Sequence, residues 1–422
     1  MASTAASAVA SASASSEALL SKPFLLKNGR TFINDSSLPY PLPVDLTELH
    51  RQSLRTLMLM QLFRVPVCCP LMTERPPAKV LEIGCGSGFW SMMCHRYFRN
   101  RGFPGISFTG LDISPLAPSS TSGLRRPDQD MKWRFVQHDV RITPFPLPPE
   151  EFDLIMVKDM SLCITNEMQQ RIVDEYIRLL KPGGVLELWE SDHTIRMLRP
   201  QPPGAVAGSS PSALAGSAEE KAEKDSATAM GAYVMSASTP LSAALNKYIG
   251  QYNSWLTKAL EQRDLCPVPC TLLGPMLLQE SETLCDVRSR RLVVPLSDVR
   301  WEKEGIGGAG NGSGSGSGTK PGSESPSPSP TPTSSSSSSR SKKRSHGARG
   351  LSPGQLALRH TALLTVVQEI QALEPVLREV NDKSQDEWDT WVGKMMKDLL
   401  EDNGTSWGEC LELGAWWARK RE

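Results

Sequence analysis

Several things are scarce in this 422-residue chain, and each absence removes a class of function. Neither sign of charge is in excess: 46 Lys and Arg stand against 46 Asp and Glu. A general electrostatic attraction to nucleic acid or to an anionic membrane is therefore not indicated. No run approaches 18 apolar residues, so no segment has the pattern of a membrane-spanning helix. The N-terminus lacks the basic start and apolar block of a secretory signal, and it has no Arg before Arg30 for a mitochondrial presequence. Histidine is sparse at six, and the nine cysteines are odd in number. Cys68-Cys69 and Cys266-x3-Cys270 do not have zinc-ligand spacing. The expectation is a cytoplasmic or nuclear protein with reduced thiols and no metal centre.

Large apolar side chains are missing from three stretches. Residues 1–18 are nearly all Ala and Ser, residues 200–238 are Pro, Ala, Ser and Gly with a short charged patch, and residues 305–350 are almost only Gly, Ser, Pro, Thr, Lys and Arg. Such compositions cannot bury enough apolar surface to offset the entropy of ordering them. A disordered tail is expected over 1–37, a low-complexity insert over 200–238 and a disordered linker over 303–350. The remainder suffices for one large domain over 38–302, completed by 351–422. The run Ser341-Lys342-Lys343-Arg344 in the linker is expected to be a solvated charge patch.

What is present alternates. Asp45 and Glu48 predict a capping box opening a helix that ends before Pro66. Strands are predicted at Val80–Ile83, Ile106–Ile113, Trp133–Gln137, Phe152–Val157 and Val185–Trp189, with helices over 88–99 and 166–180 between them. Lys181-Pro182-Gly183-Gly184 is expected to stop the second helix. A further helix over 241–262, a strand over 284–295, two helices after Pro353 and Ser384, and a final strand over Glu409–Arg419 follow. Strand and helix in alternation imply a parallel sheet with helices on both faces.

The strongest signal is Val80-Leu81-Glu82-Ile83-Gly84-Cys85-Gly86-Ser87-Gly88-Phe89-Trp90, at a strand-to-helix turn. Glycines there let the backbone approach a ligand, and the helix start offers free N–H groups. A dinucleotide fingerprint wants Gly or Ala where Phe89 stands. The form Glu-x-Gly-x-Gly-x-Gly instead resembles motif I of class I S-adenosylmethionine-dependent methyltransferases. Tyr40-Pro41-Leu42-Pro43, Gly88-Phe89-Trp90, Leu111-Asp112-Ile113-Ser114-Pro115 and Leu186-Glu187-Leu188-Trp189-Glu190-Ser191-Asp192 narrow the resemblance to the fungal LaeA-like methyltransferases, which include regulators of secondary metabolism. The general resemblance covers about 78–192, the narrower one about 38–300.

The resemblance implies a Rossmann-like α/β fold, a seven-stranded, mostly parallel sheet of order 3-2-1-4-5-7-6, and S-adenosylmethionine as cofactor. Glu82 would stand near the cofactor's ammonium, with Gly84, Cys85, Gly86 and Gly88 forming the turn. Asp112, beside Ile113, would accept the ribose hydroxyls. Asp139 would contact the adenine amino group, with Val140 on the ring, and Lys158 and Asp159 would line the methyl-donor site. His193 is a candidate general base. The helices 46–62 and 241–262 are expected to form a lid over the acceptor. The expected activity is methyl transfer to an unidentified small-molecule or protein acceptor, with a protein partner possible and no clear nucleic-acid binding. The rival reading is a cofactor-binding regulatory subunit with little turnover. No Asn-Pro-Pro-Tyr motif of nucleic-acid amino methyltransferases is present.

Overall fold

Alternation along the strands decides the layers. Val80, Leu154, Met156, Val185 and Trp189 join one buried cluster, whereas Leu81, Ile83, Ile155, Val157, Leu186 and Leu188 join another. Successive side chains of a strand point to opposite faces, so these clusters are the two sides of one sheet. The structure, a computed structural model, describes residues 23–119, 126–200, 218–236, 239–303 and 350–422.

In chain order the elements are β1 (Phe24–Lys27), β2 (Arg30–Ile33), α1 (Leu46–Phe63), α2 (Pro70–Glu74), β3 (Lys79–Ile83), α3 (Phe89–Asn100), β4 (Ser107–Asp112) and β5 (Lys132–Gln137). Then come β6 (Phe152–Lys158), α4 (Gln169–Leu179), β7 (Leu180–Ser191), β8 (Arg196–Leu198), α5 (Ala218–Ala229), β9 (Tyr233–Val234) and β10 (Leu241–Ala243). The remainder is α6 (Lys247–Glu261), α7 (Leu273–Gln279), β11 (Leu284–Pro295), α8 (Arg300–Lys303), α9 (Pro353–Ala372), α10 (Glu374–Glu379), α11 (Gln385–Met396) and β12 (Glu409–Lys420).

β3 pairs in parallel with β4 and β6, β4 with β5, and β6 with β7. β12 runs antiparallel between β7 and β11, with Leu413 opposite Ser191 on one side and Leu292 on the other. The order is thus β5-β4-β3-β6-β7-β12-β11. The short strands β8, β9 and β10 extend this end, so among the described residues the sheet has ten strands where seven were expected. α1, α3, α6, α9 and α11 cover one face, burying Leu59, Trp90, Tyr252, Ile370 and Trp388 among others, while α4 and α7 cover the other with Ile172, Tyr176 and Leu277. Each such side chain contributes about 1.5–3 kcal/mol on burial.

Several expectations need correction. The tail does not extend to residue 37: β1 and β2 form a hairpin around Asn28-Gly29, both at positive φ (51° and 74°). That is the two-residue turn whose twist matches paired strands. The described part of the expected insert holds α5, built from the helix formers Ala, Glu and Lys, and β9. The predicted helix over 241–262 begins only at Lys247, where Asn246 caps it, because 241–243 is strand β10. Asp45 accepts from the Glu48 N–H, but the Glu48 side chain turns to Arg51 instead of closing a capping box. Residues 181–184 belong to the start of β7, where Gly183 has φ 76° and a Cβ on Gly184 would lie 2.9 Å from the Lys181 carbonyl. Residues 1–22 of the tail, 201–217 of the insert and 304–349, with the 341–344 charge patch, lie outside the described residues.

Candidate functional site

The C-terminal ends of parallel strands are where open α/β sheets hold ligands. A cleft of about 1080 Å³, its open mouth included, lies there. Its floor is the turn after β3. Gly84, Gly86 and Gly88 all have positive φ (64°, 51° and 74°), which glycine adopts without strain. A Cβ on Gly84 would sit 2.1 Å from Met160 Sδ, so a side chain there would have to displace the end of Met160. A Cβ on Gly86 would meet nothing nearer than Gln52 Oε1, 3.7 Å away across the cleft. That position is open to a ligand and closed to substitution by its backbone.

Asp112 ends β4 beside this turn. Its Oδ2 accepts from the Gly86 N–H at 2.8 Å and its Oδ1 from the Ser114 N–H at 2.8 Å. Burial nevertheless pushes its pKa up against those two bonds. The carboxylate thus has unused acceptor capacity on the cleft wall and would gain from two further donors, such as vicinal hydroxyls. Ile113 and Val140 supply apolar wall on either side.

Asp139 also lines the cleft, but both of its oxygens are held by Arg141, at 2.7–3.0 Å. The same guanidinium reaches Asp35 in the segment after β2, which ties the N-terminal hairpin region to the rim. Lys158 ends β6 and Asp159 follows it. Although burial opposes ionisation, Arg55 (2.9 Å) and Lys158 (2.8 Å) hold the Asp159 carboxyl well below the usual range. Asp159 itself has φ 55°.

His193, just past β7, is buried at the inner wall. Its Nδ1 lies 2.9 Å from Glu369 Oε1 and its Nε2 lies 2.9 Å from Ser161 Oγ. Ser161 Oγ in turn donates to Glu190 Oε2 at 2.9 Å. Burial and the charge of Asp159 push Glu190 up to about 7. Glu369 goes the other way: against its burial, Arg51, His193 and Arg55 bring it down to about 2. Arg51 holds both Glu48 and Glu369, at 2.7 and 3.0 Å.

The cleft thus brings together Gly84, Gly86, Asp112, Ile113, Asp139, Val140, Lys158, Asp159 and His193. Cys85 and Gly88 are not on its wall: the Cys85 thiol faces the position a Gly110 Cβ would take, and Gly88 backs onto Pro127 and Trp133. Glu82 is a correction. Its Oε2 accepts from the N–H and the hydroxyl of Ser91 (3.2 and 2.6 Å), so this acid serves the first turn of α3 rather than the cleft. α6 is a second correction. Its Tyr248 and Trp255 pack on Trp391 of α11, and its Tyr252 hydroxyl donates to the His193 carbonyl, so it supports the site from behind rather than covering it.

Sequence reading missed Tyr40, Arg51, Gln52, Arg55 and Glu369. Arg51 and Arg55 share a face of α1 with Glu48, at spacings of three and four, a pattern that a solvated helix face shows equally well.

Comparison with known proteins finds the family described as methyltransferase domain over residues 80–184, which spans β3 to the start of β7. Methyltransferase str3 of Strobilurus tenacellus is 31% identical over 110 residues, covering 26% of this chain and 34% of that protein. The secondary metabolism regulator laeA of Aspergillus niger is 26% identical over 170 residues, covering 40% of this chain and 41% of that protein. A solved phosphoethanolamine N-methyltransferase 2 of Haemonchus contortus, 12% identical, covers 87% of this chain and 57% of that one with a TM-score of 0.34. The chain spans between 29% and 41% of the length of the curated relatives it matches.

Proposed function

Taking residues 80–184 as a methyltransferase domain of the class I, S-adenosylmethionine-dependent kind, resembling the LaeA-like proteins, we propose that the chain transfers a methyl group from S-adenosylmethionine to a small-molecule or protein acceptor. The observation that carries this reading is Asp112: a half-buried carboxylate with spare acceptor capacity, bonded to the N–H of Gly86 in a turn left open by glycine. These residues fit the cofactor. Gly84 and Gly86 would take its backbone-close part, Asp112 its ribose, and Ile113 and Val140 the flanks of its ring. When bound, S-adenosylmethionine supplies a methyl group already activated on a sulfonium.

Little covalent work is left to the protein, and alignment of the acceptor can supply most of the acceleration. An acceptor that loses a proton on methylation can give it to His193, whose ring the Glu369 contact holds in place. Ser161 already takes the Nε2 face of the ring, so an acceptor would replace or share that contact.

Calorimetry tests the cofactor assignment. Asp112→Asn, which keeps the shape and removes the charge, should weaken S-adenosylmethionine binding by about 1.5–3 kcal/mol, the range for hydrogen bonds to a charged group. Wild-type affinity in that variant would refute it. Formation of S-adenosylhomocysteine with candidate acceptors then separates turnover from a cofactor-binding regulatory role, in which binding persists without product.

A further inference from the structure

A second cavity lies on the other side of Met160 and Ser161, between the sheet and helices α4 and α7, with about 580 Å³ of space including its mouth. Val157, Ile164, Val173, Leu188, Leu272 and Met276 make it largely apolar. Its polar wall is mostly committed already. Ser161 is bonded to Glu190 and His193. Asn166 donates to the backbone carbonyl and side chain of Asp264. Glu190 accepts from the N–H groups of Met160 and Ser161 and from the Ser161 hydroxyl.

Tyr176 is different. It is 1% exposed, lines this cavity, and its hydroxyl is a buried group with no hydrogen-bond partner among the described residues. Leaving such a donor unsatisfied costs about 1–3 kcal/mol, so it calls for an acceptor. Among the described residues no Lys, Arg or His lines the cavity, and Glu190 is the one acidic residue that does. An anion would find no counter-charge there and would meet that carboxyl.

We propose that this cavity binds a small, uncharged apolar molecule carrying one oxygen acceptor, such as an aryl ketone, with its oxygen on the Tyr176 hydroxyl. The site does not depend on methyl transfer. It is distinct from the cofactor cleft, and among the described residues the two share only Met160.

The test uses acetophenone and its deoxygenated analogue ethylbenzene, titrated into the full chain with isotope-labelled methionine methyl groups. The Met276 methyl, on this cavity and not on the cofactor cleft, should shift and saturate with acetophenone. Ethylbenzene, lacking the oxygen, should bind several-fold more weakly. Tyr176→Phe should weaken acetophenone by roughly three- to ten-fold, the net value of one hydrogen bond, while leaving ethylbenzene unchanged or tighter. Leu272→Trp, at a half-exposed wall position, should abolish both and serves if Tyr176→Phe does not fold. Absence of a saturable Met276 shift would overturn the proposal. So would acetophenone binding indifferent to Tyr176→Phe, or binding that survives Leu272→Trp.

Discussion

His193 and Glu369 stand 176 residues apart in sequence, yet the imidazole Nδ1 lies 2.9 Å from the carboxylate Oε1. Glu369 belongs to α9, beyond the segment 304–349, and it also holds Arg51 of α1. One carboxylate therefore ties the helix before the methyltransferase domain, the strand end after it and the C-terminal part of the chain into one wall of the cleft.

Removing that carboxylate should be costly. Glu369→Ala leaves His193 without its carboxylate and Arg51 with Glu48 alone, and loss of one side of a buried ion pair costs about 3–5 kcal/mol; the Glu48 contact that remains puts the expected loss at the lower end. Urea unfolding at pH 7 measures it. The pKa of Glu369, about 2 against an ordinary 4.5, sets the pH window. A depressed carboxyl adds its stability above the unfolded value and loses it as pH falls from about 4.5 toward 2. The gap between wild type and Glu369→Ala should therefore narrow over that acid range.

Glu82 predicts the opposite sign. Burial, only partly offset by Ser91, raises it to about 7. A raised carboxyl favours the fold while protonated in the native state, and that contribution is lost as pH rises from about 4.5 through 7. Glu82→Gln removes the titration, so its stability relative to wild type should improve between pH 5 and pH 8 by on the order of 2 kcal/mol. Its S-adenosylmethionine affinity should stay within about twofold of wild type, because the side chain bonds Ser91 outside the cleft. A large loss of affinity would return Glu82 to the cofactor.

Two glycine substitutions should separate fold from binding. A Cβ on Gly110 would lie 2.3 Å from the Trp133 ring and 2.7 Å from Cys85 Sγ, so Gly110→Ala should destabilise by about 1–3 kcal/mol through overpacking. Gly86→Ala meets no such clash, and its stability cost should be only the roughly 1–2 kcal/mol of a left-handed alanine. Its methyl group, however, enters the cleft. Thermal melts and cofactor calorimetry should give opposite rank orders for the pair.

Truncation after Asn403 should yield insoluble or unfolded protein. It removes β12, which pairs with β7 over Val185–Ser191 and with β11 over most of its length, and buries Leu411, Leu413, Ala415 and Trp416. A soluble truncated chain that melts cooperatively would contradict that placement.

The core between Val80 and Ser191 was legible because glycine spacing, strand alternation and the 3.6-residue period all act within about a dozen residues. The same local signals marked β11 and β12; features that neighbouring low-complexity tracts masked, or that rest on distant partners, were lost. Asn28-Gly29 between Phe24–Lys27 and Arg30–Ile33 is a strong hairpin signal, but it lay next to an Ala/Ser tract that drew the whole region into one label. Ala218–Ala229 was merged into a Pro/Gly insert in the same way, although its own composition favours helix. Arg51 and Arg55 look like solvated positions on an amphipathic helix; only the fold shows that they face a cleft. Glu369 carries no local mark at all, since its role comes from two partners 176 and 318 residues away.

The position of β12 also sets an order of events during synthesis. β11 ends at Pro295, and its neighbour in the sheet ends about 125 residues later, at Lys420. At about 5–20 residues per second, β7 and β11 wait on the order of 6–25 s after β11 is made, β7 with one edge unpaired and β11 paired only with β9, at Leu292 and Val293. Unpaired edges of that kind recruit other strands. The nascent chain is therefore most exposed to chaperones, and to other copies of itself, during this interval, and a slow stretch of translation between the two strands would lengthen that exposure without changing a single contact of the finished protein.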